Sequence, residues 1–358
     1  MQRLGRAKTA ILLLILCVVA GLASCTAMRM PGGPGATVPH IQGSNFIASD
    51  GMALPIRIWE PDPDDWAAPK AVILALHGFN DYSNAFESAG SWWAERGFVT
   101  YAYDQRGFGE TRHRGLWAGS DVLAEDLKTL VHLVAARHEG VPVYLLGESM
   151  GAAVVTVALT SPNPPAVDGA ILSAPAVWSR ASMPIYQRVA LWVAARTIPW
   201  ARFSGSGLRI QASDNIEMLR GLGRDPLVIK RTRVDAMDGL TDLMTEALAA
   251  APRLEAEALV LYGDKDEVVP KGPVFRFWRN LPAEVRSHHR FALYDQGWHM
   301  LLRDLGAETV LADIASWMTD RGAPLPSGAD RKAAAALAGH AEETVALDMP
   351  EDPASATQ

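Results

Sequence analysis

At 358 residues, 49% hydrophobic and 20% charged, the chain has ample apolar material for one large packed core and too much for a disordered protein. Two cysteines exclude a disulfide-stapled scaffold. No basic stripe interrupts the formal charge of −7, which argues against nucleic acid as a partner.

Arg3, Arg6 and Lys8 precede an uncharged run from Ala10 to Ala23. That run is shorter than the roughly 20 residues that span a bilayer, so residues 1–24 read as an export signal and not as a permanent membrane helix. It ends Leu22-Ala23-Ser24-Cys25, which resembles the lipobox of bacterial lipoproteins. The resemblance implies acylation of Cys25 with palmitate-type chains and a membrane as partner through that anchor. It also implies the bacterial cell envelope as location, most simply the outer membrane facing the periplasm. Cys17 follows bulky Leu16 and does not fit. Acyl chains contribute about 0.8 kcal/mol per buried CH₂, so several on one residue anchor a protein without a spanning helix. Residues 25–41, rich in Gly and Pro, read as a flexible tether. Residues 322–358, rich in Ala, Pro, Ser and acids, read as a disordered tail with at most a short helix over Lys332–Leu337.

Two alternating segments around Asp50-Gly51 predict a hairpin within Ser44–Glu60. Apolar runs then predict strands at Ala71–Leu76, Val99–Tyr103, Val143–Leu146, Ala170–Ser173, Leu259–Tyr262 and Arg290–Tyr294. Helical patterns between them cover Ala85–Arg96, Asp121–His138, Ser149–Leu159, Pro273–Asn280 and Ala307–Thr319. Buried strands alternating with helices imply an α/β fold with a mostly parallel central sheet flanked by helices. Residues 178–254 break the alternation with no convincing strand. They read as a helical cap or lid inserted between the sixth and seventh core strands, leaving 42–177 and 255–321 as the core. Within the cap, Ile185, Val189 and Val193 share one helical stripe and Arg188, Trp192 and Arg196 another. Tyr186 and Trp192 are its candidate lid or substrate residues; the same pattern also suits a helix that merely packs on the domain.

The sharpest local signal is Gly147-Glu148-Ser149-Met150-Gly151, after an apolar strand and before an apolar helix. G-x-S-x-G in that setting is a nucleophile elbow, with serine on a strained turn and glycines where side chains would collide. A serine hydroxyl needs a base and an orienting acid. Of nine histidines, His299 in Gly297-Trp298-His299 lies past the last strand, at the same sheet edge as Ser149. His288 and His289 read as solvated strand-edge residues, His113 as a surface residue, and His77 as a structural residue under its loop. The acid lies in Gly263-Asp264-Lys265-Asp266-Glu267, where spacing favours Asp266, with Asp264 as the alternative. The oxyanion-hole donors are the N–H groups of Met150 and, in His77-Gly78-Phe79, of Phe79. Asp104 and Arg106, in a further strand-end loop, read as residues that knit loops together rather than as an anion site.

These motifs, in the order Ser149, Asp266, His299, resemble the α/β-hydrolase superfamily. The match extends to Asp104-x-Arg106-Gly107-x-Gly109 and, in the cap, to Ser213-Asp214-Asn215 and Arg224-Asp225-Pro226-Leu227. The chain is most similar to the monoacylglycerol lipase and lysophospholipase branch, which includes serine aminopeptidase-like proteins. Glu148 in the elbow, where the branch more often has histidine, and Asn80-Asp81 depart from the pattern next to the acyl site. The resemblance implies a Ser149-His299-Asp266 triad acting on a small-molecule acyl ester through an acyl-enzyme, with no metal or organic cofactor. A peptidase or amidase on the same triad is the alternative within enzymes; an acidic patch of Asp214, Glu217 and Asp225 facing the pocket would favour it. A non-catalytic envelope lipoprotein is the alternative outside them.

Overall fold

Six consecutive buried residues in each of several strands require a sheet clothed on both faces, and this governs the architecture. The computed structural model describes residues 27–348, apart from Pro31, Ala67, Leu208 and Arg209. The lipobox and Cys25 lie outside the described residues. The strands are β1 (His40–Gln42), β2 (Asn45–Ile47), β3 (Ala53–Trp59), β4 (Ala71–Leu76), β5 (Phe98–Tyr103), β6 (Val143–Glu148) and β7 (Gly169–Ser173), followed by β8 (Arg202–Phe203), β9 (Thr232–Arg233), β10 (Ala258–Gly263) and β11 (Arg290–Tyr294). All but β8 and β9 form one sheet in the order β1-β2-β3-β5-β4-β6-β7-β10-β11. The β1–β2, β2–β3 and β3–β5 pairs are antiparallel, and every pair from β5 to β11 is parallel.

The helices are α1 (Glu87–Ala94), α2 (Ser120–Arg137), α3 (Met150–Leu159), α4 (Ile185–Thr197), α5 (Ile216–Arg224), α6 (Val234–Ala250), α7 (Lys271–Asn280), α8 (Ala307–Thr319) and α9 (Ala329–Asp348). Residues of α2, α3, α6 and α7 pack on one face of the sheet, and those of α1 and α8 on the other. Every residue of α3 is buried, as expected of a helix that is apolar all round. Trp93 of α1 donates its indole N–H to the Leu311 carbonyl of α8 at 3.2 Å, joining the two helices of the second face.

Several readings from composition are corrected. His40 and Ile41, placed in the tether, join Gln42 in an added edge strand, so the cap enters between the seventh and eighth strands of the sheet. The rest of the described tether is pinned as well. The Met28 N–H donates to Asp235, the Met30 N–H to Trp117 O at 2.9 Å, and Met30 is buried. Gly and Pro lower local preference without preventing backbone hydrogen bonds to a neighbouring loop. The described part of the segment after 321 is also ordered. The first turns of α9 bury Ala329 and Ala333, and Arg290 pairs with Asp330 at 2.8 Å. Its alanines supply helix propensity and a smooth docking face. In the cap, β8 and β9 pair as two-residue strands, too short to leave a period in sequence. Among the described residues no helix is long and apolar enough to cross a membrane.

His289 is buried, not a solvated edge residue, because its Nδ1 accepts the Ala258 N–H at 3.0 Å where β10 begins. Burial pushes its pKa down from 6.5 to about 4. Protonation removes that acceptor, so the unfolded chain binds the proton first. The associated stability is complete above pH 6.5 and is lost as pH falls toward 4. His289→Asn keeps an acceptor without a titrating group. It should lose the part of the wild-type acid destabilisation between those pH values that this group causes, at most on the order of 3 kcal/mol, as read by denaturant titration across the range.

Candidate active site

Ser149 occupies the turn between β6 and α3 with φ 55 and ψ −111, a left-handed conformation that non-glycine residues avoid. The flanking glycines make it possible. A Cβ on Gly151 would lie 2.1 Å from Leu76 O of β4, and one on Gly147 would lie 2.3 Å from Ala152 N. Ser149 is half-buried, and its hydroxyl makes no hydrogen bond among the described residues. Its N–H donates to Ser173 O at 2.9 Å, which fixes the turn to the end of β7.

His299 follows β11, and Asp266 follows β10, on adjacent parallel strands. Asp266 Oδ2 lies 2.8 Å from His299 Nδ1, with the carboxylate side chain wholly buried. Its Oδ1 accepts the Val268 and Val269 N–H groups at 2.8 and 2.9 Å, so the loop backbone aims the carboxylate. The structure brings Asp266, not Asp264, to the histidine: Asp264 pairs with Lys271 at the surface. Glu267 is tied to the cap by the Gln211 N–H, at 2.7 Å.

The loop after β4 closes over the elbow. A Cβ on Gly78 would lie 3.5 Å from Ser149 Cβ, and the Asp81 N–H turns back to Gly78 O at 3.2 Å, enclosing Phe79. The Phe79 ring meets Phe108 edge-on at 5.6 Å and Trp117 at 6.3 Å. No backbone bond of the described residues occupies the N–H of Phe79 or of Met150. Asn80, at φ 69, reaches Thr232 of the cap with its side chain at 2.7 Å. His77 beneath this loop is structural: Nδ1 donates to Gly78 O at 2.8 Å, and Nε2 accepts the Gln105 N–H at 3.0 Å. Burial lowers its pKa, keeping the ring neutral.

Asp104 and Arg106 also hold loops. Asp104 accepts the Ser83 and Glu110 N–H groups, and Arg106 is clamped between Asp126 and Asp50. Tyr186 and Trp192 stand on the outer face of α4, 68% and 54% exposed, and share no bond or ring contact with Ser149, Asp266 or His299.

The sequence reading missed a second tier of polar residues. Arg303 bridges Asp81 and Glu148, and Asp304 accepts Ser213 Oγ at 2.6 Å and the Trp298 N–H at 2.7 Å. Burial raises the Asp304 pKa to about 6 despite those two bonds. The cap motif has the same purpose: Asn215 caps α5 by accepting the Met218 N–H and donates to Arg303 O at 3.0 Å. The signal available was a set of charges in or beside the site motifs: Glu148 within the elbow, Asp81 two residues after Phe79, and Arg303 and Asp304 four and five residues after His299.

A family model described as "Serine aminopeptidase, S33" matches residues 67–306. The chain is 27% identical over 283 residues to a monoacylglycerol lipase of Mycolicibacterium smegmatis, covering 76% of this chain and 95% of that protein. It is 24% identical over 292 residues to a monoglyceride lipase of Rattus norvegicus, covering 79% and 92%. Among solved structures, a soluble variant of the Saccharomyces cerevisiae monoglyceride lipase aligns with TM-score 0.66 at 20% identity, covering 82% of this chain and 99% of that one.

The elbow geometry makes a definite demand on Gly151. Gly151→Ala should cost on the order of 3 kcal/mol or more, since a backbone carbonyl cannot move aside as a side chain can. The control is Gly221→Ala on α5, where a Cβ meets nothing within 4 Å and unfolding should be unchanged or shifted upward. Thermal denaturation of both variants checks this.

Proposed function

The chain belongs to this serine aminopeptidase family of α/β-hydrolases, and on that premise we propose that Ser149, His299 and Asp266 cleave carboxylic esters of monoacylglycerol or lysophospholipid type. The observation that carries the reading is the 2.8 Å His299–Asp266 pair, set at the same sheet edge as a serine held in a strained turn. Its lipid-ester relatives support the substrate class.

In this reading Asp266 accepts the Nδ1–H of His299 and leaves Nε2 to take the Ser149 proton as Oγ attacks the ester carbonyl carbon. The hydrogen bond from hydroxyl to imidazole forms as substrate binds. The Phe79 and Met150 N–H groups receive the oxyanion, each worth about 3–4 kcal/mol in the transition state. Collapse expels the alcohol, which takes its proton from His299 and leaves an acyl-Ser149 ester. Water, giving its proton to the same imidazole, attacks that ester, and the second collapse frees the acid and restores Ser149.

The outer face of α4 supports a lid that meets lipid. Ile185, Tyr186, Val189 and Trp192 are each more than half exposed, and contiguous apolar exposure of this kind marks an interaction surface. An acyl anchor on Cys25 in the bacterial envelope would hold that face near its substrates. The acids that would favour a peptidase are engaged elsewhere: Asp225 accepts the Tyr82 hydroxyl, Asp214 the Leu305 N–H, and Glu217 lies beside Arg220 in solvent.

Purified full-length protein should hydrolyse p-nitrophenyl esters and a monoacylglycerol, and Ser149→Ala should lower kcat by ~10⁴–10⁶-fold. A lysophospholipid and an aminoacyl-anilide belong in the same assay; cleavage of the anilide alone would move the reading to a peptidase. A folded sample that neither turns over nor reacts with a fluorophosphonate would support the scaffold reading. For the anchor, cells fed an alkyne fatty acid should label the wild type and not Cys25→Ala. That variant should also leave the membrane fraction, and retention there would refute the anchor.

A further inference from the structure

Three segments that carry the proposed chemistry meet on one buried cation. Arg303 stands four residues after His299, with its side chain 8% exposed. Its Nη1 donates to Asp81 Oδ2 at 2.8 Å, and its Nη2 donates to Glu148 Oε1 at 2.7 Å. Asp81 closes the turn around Phe79, and Glu148 immediately precedes Ser149. The Arg303 backbone belongs to the loop that carries His299, and its carbonyl accepts Asn215 of the cap. The two carboxylates, outweighing the effect of burial, hold the guanidinium firmly charged.

Charge balance alone is a poor explanation for this cluster. Two carboxylates and one guanidinium are out of water, and buried ion pairs seldom stabilise a fold more than apolar side chains of the same volume. The cluster is also incompletely paired, since Glu148 Oε2 and Arg303 Nε find no partner among the described residues. A planar guanidinium does offer two rigid donors at a fixed angle, which an ammonium group cannot. Here the two donors reach the oxyanion turn and the elbow from a base in the His299 loop.

We propose that Arg303 is a positioning residue for the reaction described above, and the proposal rests on that reading. Through Asp81 and Glu148 it holds the Phe79 N–H and Ser149 in register with His299. It touches neither substrate nor the reacting atoms. Its loss therefore weakens contacts made in the transition state and spares those that bind the ground-state ester.

The test uses the full-length protein, p-nitrophenyl butyrate as substrate, and kcat counted per Ser149 site titrated with a fluorophosphonate. Arg303→Lys and Glu148→Gln keep polar side chains of similar size and so disturb the packing least. Arg303→Lys should lower kcat per titrated site about 10-fold or more, with KM within about threefold. The inhibition constant of a trifluoromethyl ketone should rise by the same factor, because it mimics the oxyanion. Combined with Glu148→Gln, the loss should be smaller than the product of the single losses, since both break one contact. A kcat per titrated site equal to wild type in both single variants, with only melting lowered, would overturn the proposal in favour of charge balance. A raised KM with kcat intact would overturn it too. If Arg303→Lys yields no folded protein, Glu148→Gln and Asp81→Asn, which neutralise the same two contacts, carry the same measurements. A wild type that neither hydrolyses ester nor labels at Ser149 would instead defeat the functional reading, and this proposal with it.

Discussion

A methyl group on Gly151 would come within 2.1 Å of the Leu76 carbonyl, and the distance measures how closely α3 is pressed onto β4. That approach lets the chain reverse within one residue at Ser149 and forces its φ to 55. Backbone strain of this kind costs on the order of 1–3 kcal/mol and persists only when the surroundings over-determine it. Here they do: the Ser149 N–H is bonded to β7, its carbonyl accepts the Ala176 N–H, and the whole of α3 is buried. The hydroxyl is left above the sheet edge with the start of α3 beneath it, where backbone N–H groups point toward any charge that develops.

The other loops at that edge are arranged largely by buried polar contacts. Asp266 is aimed by two backbone N–H groups, and His299 is aimed by Asp266. Arg106, between Asp50 and Asp126, holds the loop after β5 against the β2–β3 hairpin and α2. Arg303 and Asp304 do the same for the loop after β11, one toward the elbow and the other toward the cap. Loops pay conformational entropy to be ordered, and charge-assisted bonds to rigid strand ends give the geometric definition that apolar packing alone does not.

The cap is joined to the core mainly on the side of α5 and α6. Leu243, Met244, Ala247 and Leu248 of α6 belong to the main apolar cluster, and the Ser213–Asn215 stretch is bonded to the loop behind His299. By contrast, α4 buries Ala195 alone and turns its large apolar residues outward. One cap therefore has a fixed root and an apolar outer surface.

Much of this was legible in the chain itself. Apolar runs bounded by turn residues located β4 and β11 to the residue, because strands buried on both faces leave a continuous signal. The elbow was legible because its glycines answer a local steric demand, and Ser149, Asp266 and His299 because each follows a strand at the same edge. Spacing favoured Asp266 over Asp264, and the structure supplies the physical reason: the loop turns the Asp266 carboxylate to His299 and that of Asp264 to Lys271. The pinned segment before β1, the docked start of α9 and the buried His289 were not legible, and of the Arg303 bridge only its two carboxylates, Glu148 and Asp81, stood out in sequence. Arg303 meets Asp81 across 222 residues and Glu148 across 155. Period, propensity and local sterics act over a few residues and were determined by the sequence alone. Which distant charges share one buried site is decided only when the sheet brings its loops to a common edge.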